Sequence, residues 1–335
     1  MFFGTVPVAE AAGGVLAHRV RAAEKVLAKG HALSAEDCAS LALAGVAEVT
    51  IARLSPGDMP EDEAARRLAR QAAGPGIRCA EAFTGRVNLF AEADGVLVLD
   101  EAAIHAFNAL DEGMTLATLS PFRRVKANEM VGTVKIIPFA LPGAMVKAGC
   151  QTLPAPPIRV AAFRPKRVGL ILLATPEMKP SVLNKTARVT AERVASLGGA
   201  IAFERRLPHR KEALAEALQA LDPKALDILI IFGAAAISDR RDVIPAAIDA
   251  IGGRVIHLGM PVDPGNLLLL AEWAGKPALG APGCARSPAE NGFDWVLERL
   301  FADLPVTARD IRAMGVGGLL MEIISRPQPR AGEEA

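Results

Sequence analysis

Gly280–Trp295, with the sequence GAPGCARSPAENGFDW, combines residue types that proteins use to hold anions. Gly283 lets the backbone approach a ligand closely, and Arg286 carries a guanidinium that can fork onto a phosphate or carboxylate. Ser287, a following proline and Glu290 predict the N-cap, first-turn proline and capping box of a helix. Because the N–H groups and positive dipole end of a helix attract anions, the segment predicts an anion site. The alternative is a tight β–α turn with a solvated arginine.

A second loop of small and charged residues follows the apolar run DILIIFG. It carries Asp239, Arg240 and Arg241, and Asp242 is a good N-cap for the next helix. Two carboxylates at this spacing could hold Mg²⁺ together with substrate phosphates, and the arginines would neutralise developing charge. The alternatives are a solvated charge run, or an Asp239 that simply pairs with Arg241.

Apolar runs that alternate with helical patterns predict the elements that position both loops. The predicted strands are RVGLILLAT, AIAFERRL, DILIIFG, RVIHLGM and KPALGAPG, and helices are predicted between them and after the last. This alternation predicts a three-layer α/β/α domain with a mainly parallel sheet over Arg167–Asp303. Such sheets bind ligands at the carboxyl ends of their strands, where both loops fall together with the turn at Asp263–Asn266.

The first half has a mixed pattern that predicts an α+β domain. We expect a helix in GGVLAHRVRAAEKVLAKG and a second in SAEDCASLALAG, where Ser34 and Asp37 suit the N-cap and N3 positions. Prolines crowd Leu153–Arg164, which predicts a linker there with a domain boundary near Arg164. The predicted organisation is an N-terminal domain over 1–160, an α/β domain over 165–325 and a frayed tail over 326–335.

The overall composition excludes several classes of function. The chain has 335 residues, enough for about two domains, and a formal net charge of +1, which argues against nucleic-acid or membrane-surface binding. Its four cysteines and five histidines lack metal-ligand spacing, which predicts free thiols in a reducing compartment. With no signal-peptide pattern and no apolar run of membrane-spanning length, we expect a cytoplasmic protein.

Several motifs of the second half occur in the order and spacing of a known family. The small-residue loop IIFGAAAIS leads into RRDVIPAAI, which resembles the Arg-Asp-Val-Thr-Pro segment of molybdopterin adenylyltransferases. DPGN resembles the Lys-Pro-Gly turn of molybdopterin molybdenumtransferases, GAPGCARSP resembles their Leu-Pro-Gly-Asn-Pro loop, and ATPEMKPS resembles a stretch that carries an acidic residue. Over Arg167–Asp303 the chain therefore resembles the molybdopterin-binding domain family, which includes competence-damage-inducible-type proteins. It looks closest to bacterial molybdopterin-binding proteins related to molybdenum cofactor nucleotidyltransferases.

The resemblance implies that the chain binds molybdopterin or the molybdenum cofactor during cofactor biosynthesis. It assigns cofactor binding to residues of the three loops, namely Gly233, Ser238, Arg240, Arg241, Asp263, Pro264, Gly265, Pro282, Gly283, Arg286 and Ser287. It assigns catalysis to three acidic residues, Asp239, Asp242 and Glu177, with Mg²⁺ held by the first two. The implied partners are a pterin phosphate, a nucleotide, a molybdenum cofactor nucleotidyltransferase or apo-molybdoenzyme, and further copies of the chain in a homo-oligomer.

The chain departs from the family pattern in two loops. Phe232-Gly233-Ala234 replaces the usual Thr-Gly-Gly, and Cys284 replaces the asparagine of the Pro-Gly-Asn-Pro loop. These departures favour a carrier over an enzyme that transfers a nucleotide or molybdate, and a nucleotide pyrophosphate hydrolase is a third alternative. A helix N-terminus and Arg286 beside Cys284 would lower the pKa of its thiol, so a reactive cysteine is a further alternative.

Overall fold

The computed structural model describes residues 1–22 and 25–320, which divide into two compact units. Unit 1 is Met1–Ala162, and unit 2 begins at Phe163. The tail predicted to be frayed, 326–335, lies outside the described residues. No helix in the described ranges is long and apolar enough to cross a membrane.

Unit 1 is built from short antiparallel sheets and separate helices, as expected for an α+β domain. Its strands are β1 (Phe2–Pro7), β2 (Val15–Leu16), β3 (Val20–Ala22), β4 (Lys25–Leu27), β5 (Glu48–Arg53), β6 (Asp58–Pro60), β7 (Ile77–Cys79), β8 (Arg86–Ala91), β9 (Gly95–Leu99), β10 (Met114–Thr118), β11 (Arg124–Val125), β12 (Met130–Ile136), β13 (Ala140–Pro142) and β14 (Ile158–Ala162). Its helices are α1 (Ala35–Leu43), α2 (Glu61–Ala72), α3 (Glu101–Asn108) and α4 (Gly143–Thr152). The sheet orders are β1-β5-β2, β3-β4, β6-β13, β11-β9-β14 and β10-β12-β8-β7.

Two predictions for unit 1 are wrong. The segment predicted as a first helix forms β2, β3 and β4, since Leu16 and Leu27 are buried in the small core that also holds Leu41. Burial of these side chains in strands outweighs the helical propensity of the segment. The predicted linker is wrong over part of its length, because Ile158–Ala162 forms β14, which pairs with β9.

Unit 2 contains the predicted strands and one more. Its strands are β15 (Arg167–Ala174), β16 (Ala200–Pro208), β17 (Ile228–Phe232), β18 (Arg254–Leu258), β19 (Leu269–Trp273) and β20 (Lys276–Ala281). Its helices are α5 (Pro180–Ala195), α6 (Lys211–Gln219), α7 (Val243–Ala250), α8 (Gly292–Phe301) and α9 (Ala308–Ala313). The sheet order is β16-β15-β17-β20-β19-β18.

The five predicted strands of unit 2 all run in one direction. β15 pairs in parallel with β16 and β17, and β17 pairs in parallel with β20. The unpredicted β19 is antiparallel to both β20 and β18, so β18 again follows the common direction. The mainly parallel sheet is therefore confirmed, and the carboxyl ends of five strands lie at one edge.

Helices cover both faces of this sheet, which confirms the three-layer arrangement. Leu170 and Leu172 of β15 pack in one core with α5, α8 and α9, whereas Ile171 and Leu173 pack in another core with α6 and α7. Successive side chains of a strand point to opposite faces, so a continuously apolar strand fills both cores.

Candidate functional site

The loops that follow β17 and β20 lie side by side at the carboxyl edge. The two strands are neighbours, and Phe232 at the end of β17 is paired with Ala281 at the end of β20. After β17 the chain turns sharply at the buried Gly233, where an added Cβ would lie 2.7 Å from the carbonyl oxygen of Ala235. After β20, the buried Pro282 leads into a short 3-10 turn, Gly283–Arg286.

Arg286 ties these two loops and α5 together. Its Nη1 donates to Oγ1 of Thr186 at 2.7 Å, and its Nη2 donates to the carbonyl oxygen of Gly233 at 2.6 Å. Its guanidinium carbon lies 5.1 Å from the ring centre of Phe232. Burial lowers the pKa of Arg286, but an arginine remains charged at neutral pH. The side chain predicted to bind an anion therefore also links the elements of the site.

The helix after the second loop begins later than predicted. Asn291 is the N-cap of α8, its side chain accepts from the N–H of Phe293 at 3.0 Å, and Asp294 completes the capping box. The capping box predicted at Ser287 is therefore wrong, because an asparagine with an acidic residue at N3 competes for the same role. The first N–H of α8, at Gly292, donates to the carbonyl oxygen of Pro264 at 2.9 Å.

Arg193 of α5 is a second cation of this region, and the motif comparison did not identify it. Its Nε donates to Oδ1 of Asp294, and its Nη1 and Nη2 donate to the carbonyl oxygens of Ala285 and Ser287, each at 2.9 Å. The side chains of Arg193 and Asp294 are only 9% and 13% exposed. The helical period of α5 places Arg193 close to its core stripe, which is the one sequence signal that could have identified it.

Two charged residues of the loop before α7, Asp239 and Arg241, pair with each other. Arg241 donates to Asp239 from its backbone N–H at 2.8 Å, from Nε at 2.7 Å and from Nη2 at 3.1 Å. These bonds lower the pKa of Asp239 to about 2. Asp242 is the N-cap of α7, as predicted, and accepts from the N–H of Val243 at 2.7 Å. Of the alternatives predicted for this loop, the structure contains the Asp239–Arg241 pair.

The remaining predicted site residues lie at the same edge without forming one tight cluster. Ser238 is exposed, and its N–H lies 3.4 Å from Oδ2 of Asp242. Nη1 of Arg240 lies 3.4 Å from the carbonyl oxygen of Val255. Glu177 is exposed in the turn after β15.

The third predicted loop, with Asp263, Pro264 and Gly265, packs under the start of α8. A Cβ at Gly265, which has a φ of 140°, would lie 2.8 Å from the backbone nitrogen of Gly292. The backbone N–H of Asp263 donates to the carbonyl oxygen of Gly318 at 2.8 Å. This loop therefore supports the helix that follows the second loop.

The surroundings of Cys284 disfavour an activated thiol. Burial raises its pKa, and the carboxylates of Asp263 and Asp294 raise it further. The predicted lowering of this pKa is wrong, because burial of the thiol outweighs the backbone N–H groups of Cys284 and Ala285, which lower the pKa.

The acidic residues do not form a metal site made of protein ligands alone. Within the described residues, no group of three or more histidines, cysteines, aspartates or glutamates could hold a metal ion. Asp239 and Asp242 already accept the hydrogen bonds described above, so Mg²⁺ would have to compete with Arg241 and with the α7 cap. Mg²⁺ binding by these two carboxylates together with substrate phosphates stays a prediction.

Three comparisons relate the chain to known proteins. A family model described as a domain of unknown function (DUF8806) matches residues 5–53. No curated protein matches the chain. Among solved structures, the chain is similar to the molybdopterin biosynthesis moea protein from Pyrococcus horikosii, with 17% identity over 73% of this chain and 79% of that chain and a TM-score of 0.31. It is also similar to a molybdenum cofactor biosynthesis protein B, with 15% identity over 42% of this chain and 97% of that chain and a TM-score of 0.32.

Proposed function

We propose that unit 2 binds a phosphorylated pterin of the molybdopterin type at the carboxyl edge of its sheet, and that it acts as a carrier of this cofactor. The observation that carries the proposal is the Arg286 bridge, which holds the loops after β17 and β20 together, and these loops expose the small residues Ala235, Ala236 and Gly283. The order of motifs shared with the molybdopterin-binding domain family supports a pterin as the ligand.

The two loops suit a flat, polar ring. Ala235 and Ala236 are exposed, and Gly283 has open space where a Cβ would be. A heterocycle can lie close to such a backbone and exchange hydrogen bonds with its N–H and C=O groups. Larger side chains at these positions would hold the ring away.

Arg286 suits the phosphate of the same ligand. Its contacts with Thr186 and Gly233 hold the guanidinium in place and use two of its N–H donors, and a guanidinium has more donors than these. A positioned, half-buried guanidinium binds a phosphate more strongly than a solvated one, because less conformational freedom is lost.

The internal partners of the acidic residues favour a carrier over an enzyme. Asp239 is held by Arg241, and Asp242 caps α7. A metal-assisted transfer of a nucleotide or of molybdate would need these carboxylates to leave those partners. The same argument disfavours hydrolysis of a nucleotide pyrophosphate.

Binding is tested by anaerobic calorimetric titration with molybdopterin. Gly283→Val adds a side chain at a position where a Cβ has no neighbour within 4 Å, so it should weaken binding by at least about 1.4 kcal/mol, or tenfold. Ala220→Val, at the exposed C-terminal end of α6, is the matched control and should bind as the wild type does. Equal affinities for all three proteins would place the ligand elsewhere, and no binding by the wild type would overturn the proposal.

Catalysis is tested separately with nucleotides. The protein is incubated with molybdopterin, Mg²⁺ and ATP or CTP, and in a second mixture with adenylylated molybdopterin and molybdate. A carrier binds the pterin without consuming nucleotide in either mixture. Asp242→Asn keeps an N-cap side chain, so it should keep both fold and binding. Nucleotide turnover that is lost in Asp242→Asn would instead establish an enzyme.

A further inference from the structure

Unit 1 has a charged cavity that the proposed function does not use. It is an open cavity of about 530 Å³ beside α2 and α4, lined by Glu63, Arg66, Arg67, Arg70, Gln71 and Cys150. Its volume is within the range of sites for small molecules. We call it the α2 cavity.

The charges of the α2 cavity result from the helical period of α2. Arg66, Arg67 and Arg70 are spaced so that they share one face of the helix, and the opposite face buries Leu68 and Ala72 completely. The core contacts of α2 therefore hold the backbone of this face in place. The arginine stems can line the cavity while their guanidiniums stay in water.

None of these three arginines is neutralised by a neighbour in the described part of the chain. Among residues 1–22 and 25–320, no carboxylate forms an ion pair with them, although Glu63 lies one helical turn before Arg66 and Arg67. By contrast, Arg188 and Glu192 of α5 form such a pair at 2.7 Å. The cavity thus holds an excess of positive charge that a bound anion would neutralise.

We infer that the α2 cavity binds a small anion with two or more adjacent phosphates, which is either inorganic pyrophosphate or the phosphate chain of a nucleotide. A guanidinium donates two parallel hydrogen bonds to a phosphate, and neighbouring guanidiniums on one face match neighbouring phosphates. The three arginines and Glu63 give the cavity lining a net charge of about +2, which a diphosphate, with several negative charges at neutral pH, would neutralise. Glu63, at the cavity wall, can accept a hydrogen bond from a sugar or base but repels a further phosphate.

Cys150 makes binding measurable at the cavity itself. The full-length protein is treated with N-ethylmaleimide, and the labelling rates of Cys150 and Cys284 are followed by peptide mass spectrometry. Pyrophosphate should slow the labelling of Cys150 in a saturable way and leave Cys284, in unit 2, unchanged. The pyrophosphate concentration that gives half protection reports the affinity.

Variants inside and outside the α2 cavity distinguish a specific binding site from a general effect of positive charge. Arg66→Gln combined with Arg70→Gln should raise the half-protecting concentration at least about tenfold, because two charge-assisted contacts are lost. Arg86→Gln changes charge on β8 of the same unit, where the arginine only approaches Thr133 at 3.3 Å, and should change that concentration less than about twofold. Circular dichroism checks that each variant is folded.

Protection by nucleotides identifies the ligand, and two other results would overturn the inference. Tighter protection by ATP or CTP than by pyrophosphate, with the preference lost in Glu63→Gln, identifies a nucleotide; equal protection identifies the phosphate chain alone. An unprotected Cys150 in the wild type overturns the inference. So does an equal loss of protection in Arg86→Gln and in the double variant, since that result means unspecific attraction by charge.

Discussion

Arg193 of α5 and Asp294 of α8 form an ion pair that is almost completely buried beside the last loop of the site. Burial raises the pKa of Asp294, whereas Arg193 and the N–H of Asn291 lower it. The same arginine binds the carbonyl oxygens of Ala285 and Ser287, so one side chain positions both the loop and the first turn of α8.

Arg193→Ala should strongly destabilise unit 2. Removal of one partner leaves a buried carboxylate and carbonyl groups without their donor, at a cost of about 3–5 kcal/mol. Trp273 and Trp295 are the only tryptophans of the chain, so tryptophan fluorescence during denaturation reports on unit 2 alone. Arg188→Ala is the matched control on α5, where the exposed pair with Glu192 should contribute less than about 1 kcal/mol. Similar unfolding midpoints for both variants would contradict the structural role of Arg193.

Ala274→Asn should stabilise the hairpin of β19 and β20. Ala274 and Gly275 form its two-residue turn, and their φ angles are 48° and 74°. Asparagine followed by glycine suits this left-handed backbone, so we expect a gain of roughly 0.5–1 kcal/mol in the free energy of unfolding of unit 2. Ala274→Val should lower this free energy, because a β-branched residue disfavours positive φ. The same fluorescence measurement applies, and a loss of stability in Ala274→Asn would contradict the turn.

The region around α1 should lose stability as the pH falls. His31, Lys25 and Ser34 hold the pKa of Asp37 well below its usual value of 3.8. A carboxyl whose pKa is lowered by folding stabilises the folded state fully above its unfolded pKa, and this contribution is lost as the pH falls below about 4. Asp37→Asn should therefore lower the hydrogen-exchange protection of α1 at neutral pH. As the pH falls, this protection should decrease less in the variant than in the wild type. Glu36→Gln, an exposed change in the same turn, should keep the decline of the wild type.

Alkylation of Cys284 should require a higher pH than that of an ordinary cysteine. The thiolate is the reactive form, and burial raises the pKa of this thiol. The labelling rate with iodoacetamide should therefore still increase with pH above about 8.5, where an unperturbed cysteine is half ionised. A rate that reaches its plateau near neutral pH would show that the thiol is activated after all.

The sequence alone determined the elements whose causes are local. The apolar runs of β15 and β17 read directly as buried strands, Ser34 and Asp37 form the predicted capping box of α1, and Asp242 caps α7. Hydrophobic period and capping chemistry depend on neighbours within one helical turn or one strand, and these neighbours are visible in the sequence. The mainly parallel sheet, and the placement of the three loops at its carboxyl edge, followed from the same local patterns.

Only the tertiary structure decided which charged side chains are paired and which of two possible N-caps begins α8. Asn291 rather than Ser287 starts α8, and Arg193, a hundred positions away, binds both Asp294 and the loop that contains Ser287. The sequence does not predict β19, because its leucines follow a turn signal and do not alternate with polar residues. β19 forms a strand because it pairs with both β18 and β20. Strand pairing and the burial of charged side chains decide these features. The free energies of both depend on residues that are distant in sequence and come close only after folding.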